Sequence, residues 1–408
     1  MRSRRVALAL LVTTVASAAG LFATVGSSAA ASKPVKVKVL LLAETLGESV
    51  NAVQYYDNGA KLAAQQLGPS KVEYTRIPAP LPPPQAQTAL LQAIDQKPDV
   101  IIGLPASSQV IPLSQTIAQS NIPFFALSTA IQTIKDGPNG APNLYLIRPL
   151  STDVAVAEAN YVTKTLNKKK IGLVCVQNAY GTDSCNVARP AITKNGATIA
   201  VERTNAINAT DLTDTAVAMK SVDAVLDFNF PNPLGVLANQ LVQNGVTVPH
   251  VDGASAGIEV NAKAVQGQAL KVFSGVDDCV PVDDKSAAAK SFNKAYQTAY
   301  NQPPIYSAAE AYDMVKFAYA AAQKAGSTDP AKLEAAIQKL PYTGACGSYK
   351  LDSGNILLHT SYITKWTQAG AETSIKKLTF PPTGAAGSTA TSAPTGATAT
   401  TAPTTTTK

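Results

Sequence analysis

The chain has 408 residues, and 34 basic against 27 acidic residues give it a formal net charge of +7. Three of the basic residues are arginines within the first 31 residues, so the rest of the chain is only mildly basic. Nucleic-acid binding needs a concentrated basic face with interleaved aromatic residues, and the densest basic run, Lys168–Lys170, only precedes a strand-like segment. We therefore expect no nucleic-acid partner.

The first 31 residues predict a secretory signal. A basic start is followed by an apolar stretch, residues 6–25, and by small residues ending at Ala31. A retained membrane anchor would need about 20 strongly apolar residues, but several threonines, a serine and a glycine interrupt this stretch. We expect an exported protein of the periplasmic or cell-wall space. Because the first cysteine is Cys175, we expect no lipid anchor.

Strand-like and helical patterns alternate over residues 35–251, which predicts parallel sheets covered by helices on both faces. The predicted strands are Val35–Leu42, Val72–Ile77, Val100–Leu104, Phe124–Leu127, Ile171–Val176, Ala197–Val201, Ala224–Phe228 and Val248–Val251. The predicted helices are Ala52–Leu67, Gln85–Gln96, Gln109–Gln119, Asp153–Leu166, Asp183–Asn195, Asp211–Lys220 and Leu234–Asn244. The chain between the predicted signal and the predicted tail is longer than one hydrophobic core usually serves. We therefore expect two α/β lobes.

The pattern changes after Val276. Three helical patterns, residues 285–300, 307–325 and 330–340, precede two β-like runs around residues 352–355, which predict a hairpin. A helical block cannot complete a parallel sheet, so it returns to cover an earlier lobe. We therefore predict three crossings between the lobes, near Pro149, Val276 and Tyr349, that form a hinge. One lobe comprises residues 33–149 and 277–348, and the other comprises residues 150–276 and 349–380.

Four cysteines in an exported chain favour two disulfides over metal ligation. The sequence alone allows three pairings. We prefer Cys175 with Cys185 and Cys279 with Cys346, because each pair joins neighbours in the predicted layout.

Residues 381–408 predict a disordered tail of Thr, Ala and Pro. From Thr383 onward no aromatic or large aliphatic side chain is present to offset the entropy of ordering. The composition suits an O-glycosylated cell-wall spacer, and inert low complexity explains it equally well.

Five segments together resemble the Leu/Ile/Val-type (type I periplasmic fold) substrate-binding proteins of ABC transporters over about residues 35–377. In order they are VKVKVLLLAE with NGAKLAAQQL, DVIIGLPASSQVIPLSQTIAQSNIPFFALSTA, YLIRPLSTDVAVAEA, KKIGLVCVQNAYGTDSC and SAAEAYDMVKFAYAAAQKAG. The resemblance implies two Rossmann-like lobes with parallel sheets and a three-crossing hinge. It also implies capture of an amino acid or related small carboxylate for an ABC permease, by a monomer without a cofactor. An extracytoplasmic sensor reporting to a membrane partner is the alternative.

Two loops of the first lobe are candidates for holding a ligand carboxylate. Ser107 and Ser108 follow one strand, and Ser128 and Thr129 follow the next. Ligands of open α/β sheets lie beyond the carboxyl ends of the strands, where hydroxyl and backbone N–H groups are available. Helix capping is the structural alternative. Family members usually have Ser, Ala, Thr in the second loop, whereas this chain has Ser128, Thr129 and Ala130 in that order.

The other candidates come from the second lobe and from the helical block. Tyr180 matches the family's Tyr-Gly loop, whose tyrosine lies against the ligand. Phe230 stands near a second family aromatic, with core packing as the alternative. Asp252 is available for a ligand ammonium, although Ala254 aligns nearer to the family's acid. Tyr306 resembles a cleft tyrosine, with core packing as the alternative.

The mouth loop, residues 44–51, lacks the Thr-Gly-Pro of close relatives, so a branched-chain ligand does not follow from the resemblance.

An enzyme is not expected. Residues 253–257 fit the G-x-S-x-G pattern of serine hydrolases, with His359 downstream, but 25 glycines make a chance match easy and His359 falls in the predicted hairpin. His250 lies in a strand-like run, which favours a structural role. The sequence has no P-loop and no G-x-G-x-x-G, and we expect no metal site.

Overall fold

The computed structural model describes residues 35–45, 50–130, 140–253, 256–367 and 371–382. The predicted signal (residues 1–31), residues 46–49 of the mouth loop and nearly all of the tail lie outside the described residues. Within the described part, no helix is long and apolar enough to cross a membrane.

The first lobe is built on a five-stranded parallel sheet in the order β2-β1-β3-β4-β5. Its strands are β1 (Val37–Glu44), β2 (Val72–Ala79), β3 (Val100–Gly103), β4 (Phe124–Ala126) and β5 (Leu144–Leu146). Helices α1 (Val50–Leu67), α2 (Pro83–Asp95) and α3 (Ser107–Ser120) connect them. Strands β3, β4 and β5 are buried along their whole length, which explains their continuous apolar runs.

The second lobe is built on a seven-stranded sheet in the order β14-β13-β10-β9-β8-β6-β7. Its strands are β6 (Lys170–Val176), β7 (Thr198–Asn205), β8 (Ala224–Phe228), β9 (His250–Asp252), β10 (Phe273–Asp277), β13 (Thr360–Trp366) and β14 (Glu372–Thr379). Its helices are α4 (Ser151–Asn160), α5 (Ala179–Lys194), α6 (Thr213–Ala218), α7 (Pro231–Gln243), α8 (Ala256–Asn261) and α9 (Gly267–Val272). Helix α4 continues as a π-helical turn to Thr165. Strand β13 pairs antiparallel with both β10 and β14, so β13 runs against the other strands of this sheet.

Three later helices return to the first lobe: α10 (Ala287–Tyr300), α11 (Tyr306–Ala325) and α12 (Pro330–Ile337). Helix α11 packs along α1 and shares one hydrophobic core with β1. The chain thus passes from the first sheet to the second after β5, and back after β10.

The third crossing lies about ten residues later than the predicted position near Tyr349. Strands β11 (Tyr342–Gly344) and β12 (Gly347–Tyr349) form their own hairpin. The chain then turns at residues 352–355 and returns to β5, where the N–H of Leu357 donates to the carbonyl of Leu146 (2.8 Å). It crosses only at residues 358–360, so residues 349–358 belong to the first lobe.

The predicted hairpin around residues 352–355 is therefore wrong in its strand pairing. A turn is present, with the N–H of Gly354 donating to the Asp352 carboxylate (2.9 Å). However, β12 pairs with β11, and β13 pairs with β10 and β14. Sequence periodicity also missed the strands β5, β10 and β14 and the short helices α8 and α9.

Both predicted disulfides are confirmed. Cys175 on β6 bonds to Cys185 on α5, and Cys279, just after β10, bonds to Cys346 in the β11–β12 turn. The first bond fixes a helix to the strand before it, and the second fixes the second crossing to the hairpin.

A buried carboxylate organises the β11–β12 turn. Asp313 of α11 accepts hydrogen bonds from the N–H groups of Ala345 and Cys346 (both 2.8 Å) and from the hydroxyl of Tyr349 (3.1 Å). Burial nevertheless raises the pKa of Asp313 to about 7. The hydrogen bonds oppose this rise.

We predict that loss of the longer-range disulfide costs more stability. The two bonds close loops with sequence separations of 10 and 67 residues. Loop entropy gives about 3 kcal/mol for the first and about 4 kcal/mol for the second. Urea unfolding of the Cys175→Ser/Cys185→Ser and Cys279→Ser/Cys346→Ser variants measures both, and a larger loss in the first variant would contradict the prediction.

We also predict that Asp313 makes stability fall as pH rises. Its folded-state pKa, about 7, lies above the usual value of an unfolded aspartate, about 3.9. The folded state therefore holds an extra proton between these values, and stability present at pH 4 is lost by pH 7. Relative to Asp313→Asn, the wild-type free energy of unfolding should fall by about 4 kcal/mol over this window. Asp95→Asn, at an exposed position, is the control and should keep the wild-type slope.

Candidate functional site

The loops that follow the strands of the two sheets meet between the lobes. Ala130, in the loop after β4, lies in the same hydrophobic cluster as Tyr180 and Phe230 of the second lobe. Helix α3 also contacts α5. Because both helices begin at the carboxyl ends of parallel strands, the contact brings two such edges together.

Ser107 joins two loops of the first lobe. It opens α3, yet its Oγ accepts a hydrogen bond from the N–H of Ala130 (3.0 Å). The residue before it, Ala106, provides no side-chain cap. Ser107 therefore ties the loop after β3 to the loop after β4, and Ser108 beside it is half-buried.

The loop after β4 carries a buried hydroxyl without a partner. Ser128 has no exposed surface, and its Oγ has no hydrogen-bond partner among the described residues. Thr129 is also buried, and its carbonyl accepts from the N–H of Ser151 at the start of α4 (3.0 Å). A buried polar group without a partner is costly, so Ser128 is suited to meeting a polar group brought by a ligand.

The sequence around Tyr180 fixes the ring through its neighbours. Asn178 caps α5 by accepting from the N–H of Gly181 (2.9 Å). A Cβ at Gly181 would lie 2.2 Å from the carbonyl oxygen of Val176, so only glycine lets the helix start this close to β6. The motif is therefore explained first by backbone packing.

Tyr180 itself lies in an aromatic group. Its ring meets Phe230 edge-on, with centroids 5.4 Å apart, and it is only 4% exposed. Its hydroxyl has no hydrogen-bond partner in the part of the chain that the structure describes. The hydroxyl approaches β9, because a Cβ at Gly253 would lie 2.7 Å from it. The structure thus brings Tyr180 and Phe230 together in one hydrophobic cluster.

Asp252 lies at the end of β9 without exposed surface, in register with Asp227 on β8. Asp227 contacts Nε2 of His250 at 2.9 Å, and the His250 ring packs edge-on against Phe273. His250 is therefore held inside the lobe, in the structural role that its strand position indicates.

Glu158 of α4 was missed in the sequence. It is fully buried, and neither of its carboxyl oxygens has a hydrogen-bond partner within the described segments. Burial, then the charges of Asp252 and Asp227, raise its pKa well above the usual range. The helical spacing could have predicted its burial, because Glu158 shares the helix face of Ala155 and Val162, which are both buried.

Tyr306 belongs to a different cluster from Tyr180. Its ring is 1% exposed and lies 4.9 Å from the guanidinium of Arg148, next to the first and second crossings. Arg148 pairs there with Asp278 and lies 3.6 Å from Glu310. The structure therefore places Tyr306 among the charged groups of the crossings.

The structure does not bring the residues of the hydrolase-like pattern together among the residues it describes. His359 lies at the third crossing, with Nε2 3.8 Å from the Asp352 carboxylate, and Ser255 lies outside the described residues. Within the described ranges, no group of three His, Cys, Asp or Glu side chains could hold a metal ion.

A protein-family model described as "Periplasmic binding protein" matches residues 36–371. A search of curated proteins found no match.

Solved structures of similar fold include transporter proteins with two kinds of bound ligand. The branched-chain amino acid transporter substrate-binding protein LivJ of Streptococcus pneumoniae, in complex with isoleucine, is 20% identical, with a TM-score of 0.76 over 85% of this chain and all of that chain. An ABC transporter solute-binding protein of R. palustris, in complex with benzoate, is 19% identical, with a TM-score of 0.75 over 84% and 96%. The leucine-binding protein LivK of Thermotoga maritima is 19% identical, with a TM-score of 0.72 over 84% and 99%.

We predict that Ser107 stabilises the site more than a neighbouring buried serine does. Ser107→Ala leaves the N–H of Ala130 without its acceptor, so it should cost about 1–2 kcal/mol. Ser114 of the same helix only donates to helix carbonyls (2.9 and 3.0 Å), so Ser114→Ala should cost less than about 0.5 kcal/mol. Thermal unfolding compares the two variants, and equal losses would contradict the prediction.

Proposed function

The chain belongs to the periplasmic binding protein family, and from this premise we propose that it captures an amino acid or related small carboxylate outside the cytoplasm and delivers it to an ABC importer. Proteins of this family are non-enzymatic solute binders. The proposed partners are the small-molecule ligand and an ABC permease, and the proposed state is a monomer.

The observation that carries the proposal is a pair of unsatisfied hydroxyls on opposite lobes. Ser128 and Tyr180 are both buried, and neither hydroxyl has a hydrogen-bond partner among the described residues. Their loops approach each other at Ala130, which lies in the cluster of Tyr180. A polar ligand held between the lobes would give both hydroxyls partners and remove the cost of leaving them unpaired.

The first lobe supplies the anion-binding side. Ser107 and Ser108 form the first turn of α3, and Ser128 and Thr129 follow the adjacent strand. Backbone N–H groups at a helix start and nearby hydroxyls can hold a carboxylate without a cationic side chain. Isoleucine and benzoate, the ligands of two similar structures, both carry a carboxylate, which supports this ligand class.

The second lobe supplies an apolar cover and an acidic side. Tyr180 and Phe230 would cover the ligand and exclude water from its polar contacts. Asp252 would favour a ligand that carries an ammonium group. Benzoate has no such group, so the proposal covers both amino acids and simple carboxylates.

Closure of the lobes is proposed to follow rotation at the three crossings. With the revised third crossing, the moving bodies are residues 35–147 with 279–358, and residues 150–277 with 361–380, and Arg148 and Asp278 lie in the segments that connect them. In this scheme, ligand capture brings Tyr180 against the group held by Ser128.

The test compares two variants at Tyr180. Tyr180→Ala removes the aromatic cover and should weaken binding about thirtyfold, equivalent to about 2 kcal/mol. Tyr180→Phe keeps the ring, removes only the hydroxyl and should bind more tightly than Tyr180→Ala. Thermal shift with the standard amino acids, benzoate and hydroxybenzoates selects the ligand, and titration calorimetry then gives the dissociation constants.

Two outcomes would contradict the proposal. If no amino acid or aromatic carboxylate stabilises the protein, the ligand class is wrong. If Tyr180→Ala binds the selected ligand as tightly as the wild type, the cleft assignment is wrong.

A further inference from the structure

One carboxylate joins all three crossings. Asp278, directly after β10, accepts from Nε of Arg148, which lies two residues beyond β5. The hydroxyl of Ser361, at the start of β13, donates to the other oxygen of Asp278 (2.9 Å). Arg148 and Asp278 are both buried. The three segments that connect the lobes therefore converge on this side chain.

A second acid faces this contact from the first lobe. Glu310 of α11 has no exposed surface, and its Oε1 lies 3.6 Å from Nε of Arg148. Neither Glu310 oxygen has a hydrogen-bond partner among the residues the structure describes. The shorter contact of Arg148 Nε is with Asp278, and its contact with Glu310 is longer, at 3.6 Å.

The surroundings of Glu310 favour its protonated form. Burial raises its pKa well above the usual range, and the nearby Asp278 adds to the rise while Arg148 opposes it. The charged and titratable groups around it are Arg148 and Asp278 at the crossings, Asp277 of β10, Tyr56 of α1, Tyr306 of α11 and Tyr349 of β12. With a proton on Glu310, the Arg148–Asp278 contact receives no additional negative charge from α11.

We propose that Glu310 is a proton-dependent latch that holds the first lobe against the Arg148–Asp278 contact. Protonated Glu310 packs beside Asp278 without repulsion. Ionised Glu310 places a second negative charge in a buried site with one cation, which is costly unless the carboxyls separate and water enters. The latch rests on the lobe closure proposed above, and it lets rising pH favour the open arrangement without any ligand.

A second acid pair provides an internal control. Asp277 and Glu372 are two buried acids close to each other, and burial raises the pKa of Asp277 to about 6 and that of Glu372 well above its usual range. The N–H of Gly257 also donates to Asp277 (3.4 Å), and Asp283 is the further acid facing Glu372. Asp277 and Glu372 both lie on strands of the second sheet. Ionisation there should weaken one lobe without moving the lobes apart.

The experiment measures the radius of gyration of the ligand-free protein by small-angle X-ray scattering from pH 5 to pH 9. The wild type should expand with rising pH. Glu310→Gln, which mimics the protonated side chain, should stay at the compact value throughout. Glu372→Gln should expand as the wild type does.

Thermal unfolding of the same variants reports the cost of ionisation. The melting temperature of Glu310→Gln should match the wild type at pH 5 and exceed it by about 3 °C at pH 8.5. Asp278→Asn is the second variant. It leaves Arg148 to pair with Glu310, so the pKa of Glu310 should fall and the expansion should move to lower pH.

Three results would overturn the latch: a constant wild-type radius, expansion of Glu310→Gln with the wild-type profile, or loss of expansion in Glu372→Gln. Because ligand is absent, none of these results bears on the ligand proposal, and failure of the calorimetric test of Tyr180 leaves the latch standing.

Discussion

The buried contact between Arg148 and Asp278 is the point on which the two-lobed structure depends. Each lobe has its own sheet, and three short segments of the described chain connect the two sheets. Asp278 draws these segments together through Arg148 and Ser361. Removing either member of a buried ion pair leaves an uncompensated charge, so this contact fixes where the segments run and hence how the lobes face each other.

The position of the candidate site follows from that arrangement. Parallel strands all end at one edge, so each lobe presents its loops and helix starts along a single side. In this arrangement Ser128 of one lobe and Tyr180 of the other are buried, and neither hydroxyl has a hydrogen-bond partner among the described residues. The ligand proposed above would meet both hydroxyls.

Several carboxyl groups are buried in the interior of the protein. Glu158, Glu310 and Glu372 are all withdrawn from water, and burial raises the pKa of each. Each lies near another acid, so keeping a proton avoids repulsion in a medium that screens charge poorly. The fold is consequently linked to pH in its interior, where only Arg148 and His250 are buried basic side chains among the described residues.

The sequence by itself determined the alternation of strands and helices and the two sheets, and it favoured the observed disulfides over the other two pairings. Strand β8 was predicted at its observed ends, Ala224 and Phe228, because all of its residues except Asp227 are apolar and such a run is a local property of the chain. The disulfides followed for a similar reason, since each joins segments that are neighbours in the predicted layout. The local match of the Tyr180 loop could likewise be seen without coordinates.

Only the tertiary structure decided which sheet receives residues 350–358 and which charged residues are buried. Ile356 and Leu357 are apolar, and either sheet edge could have accepted them, so periodicity could not locate the third crossing. Glutamate is a good helix former, and the residues around Glu310 in the sequence do not predict that its side chain is buried. Its environment is set by Arg148 and Asp278, which lie 162 and 32 positions away in the chain. Electrostatic environment depends on distances in space, and those exist only once the lobes have packed.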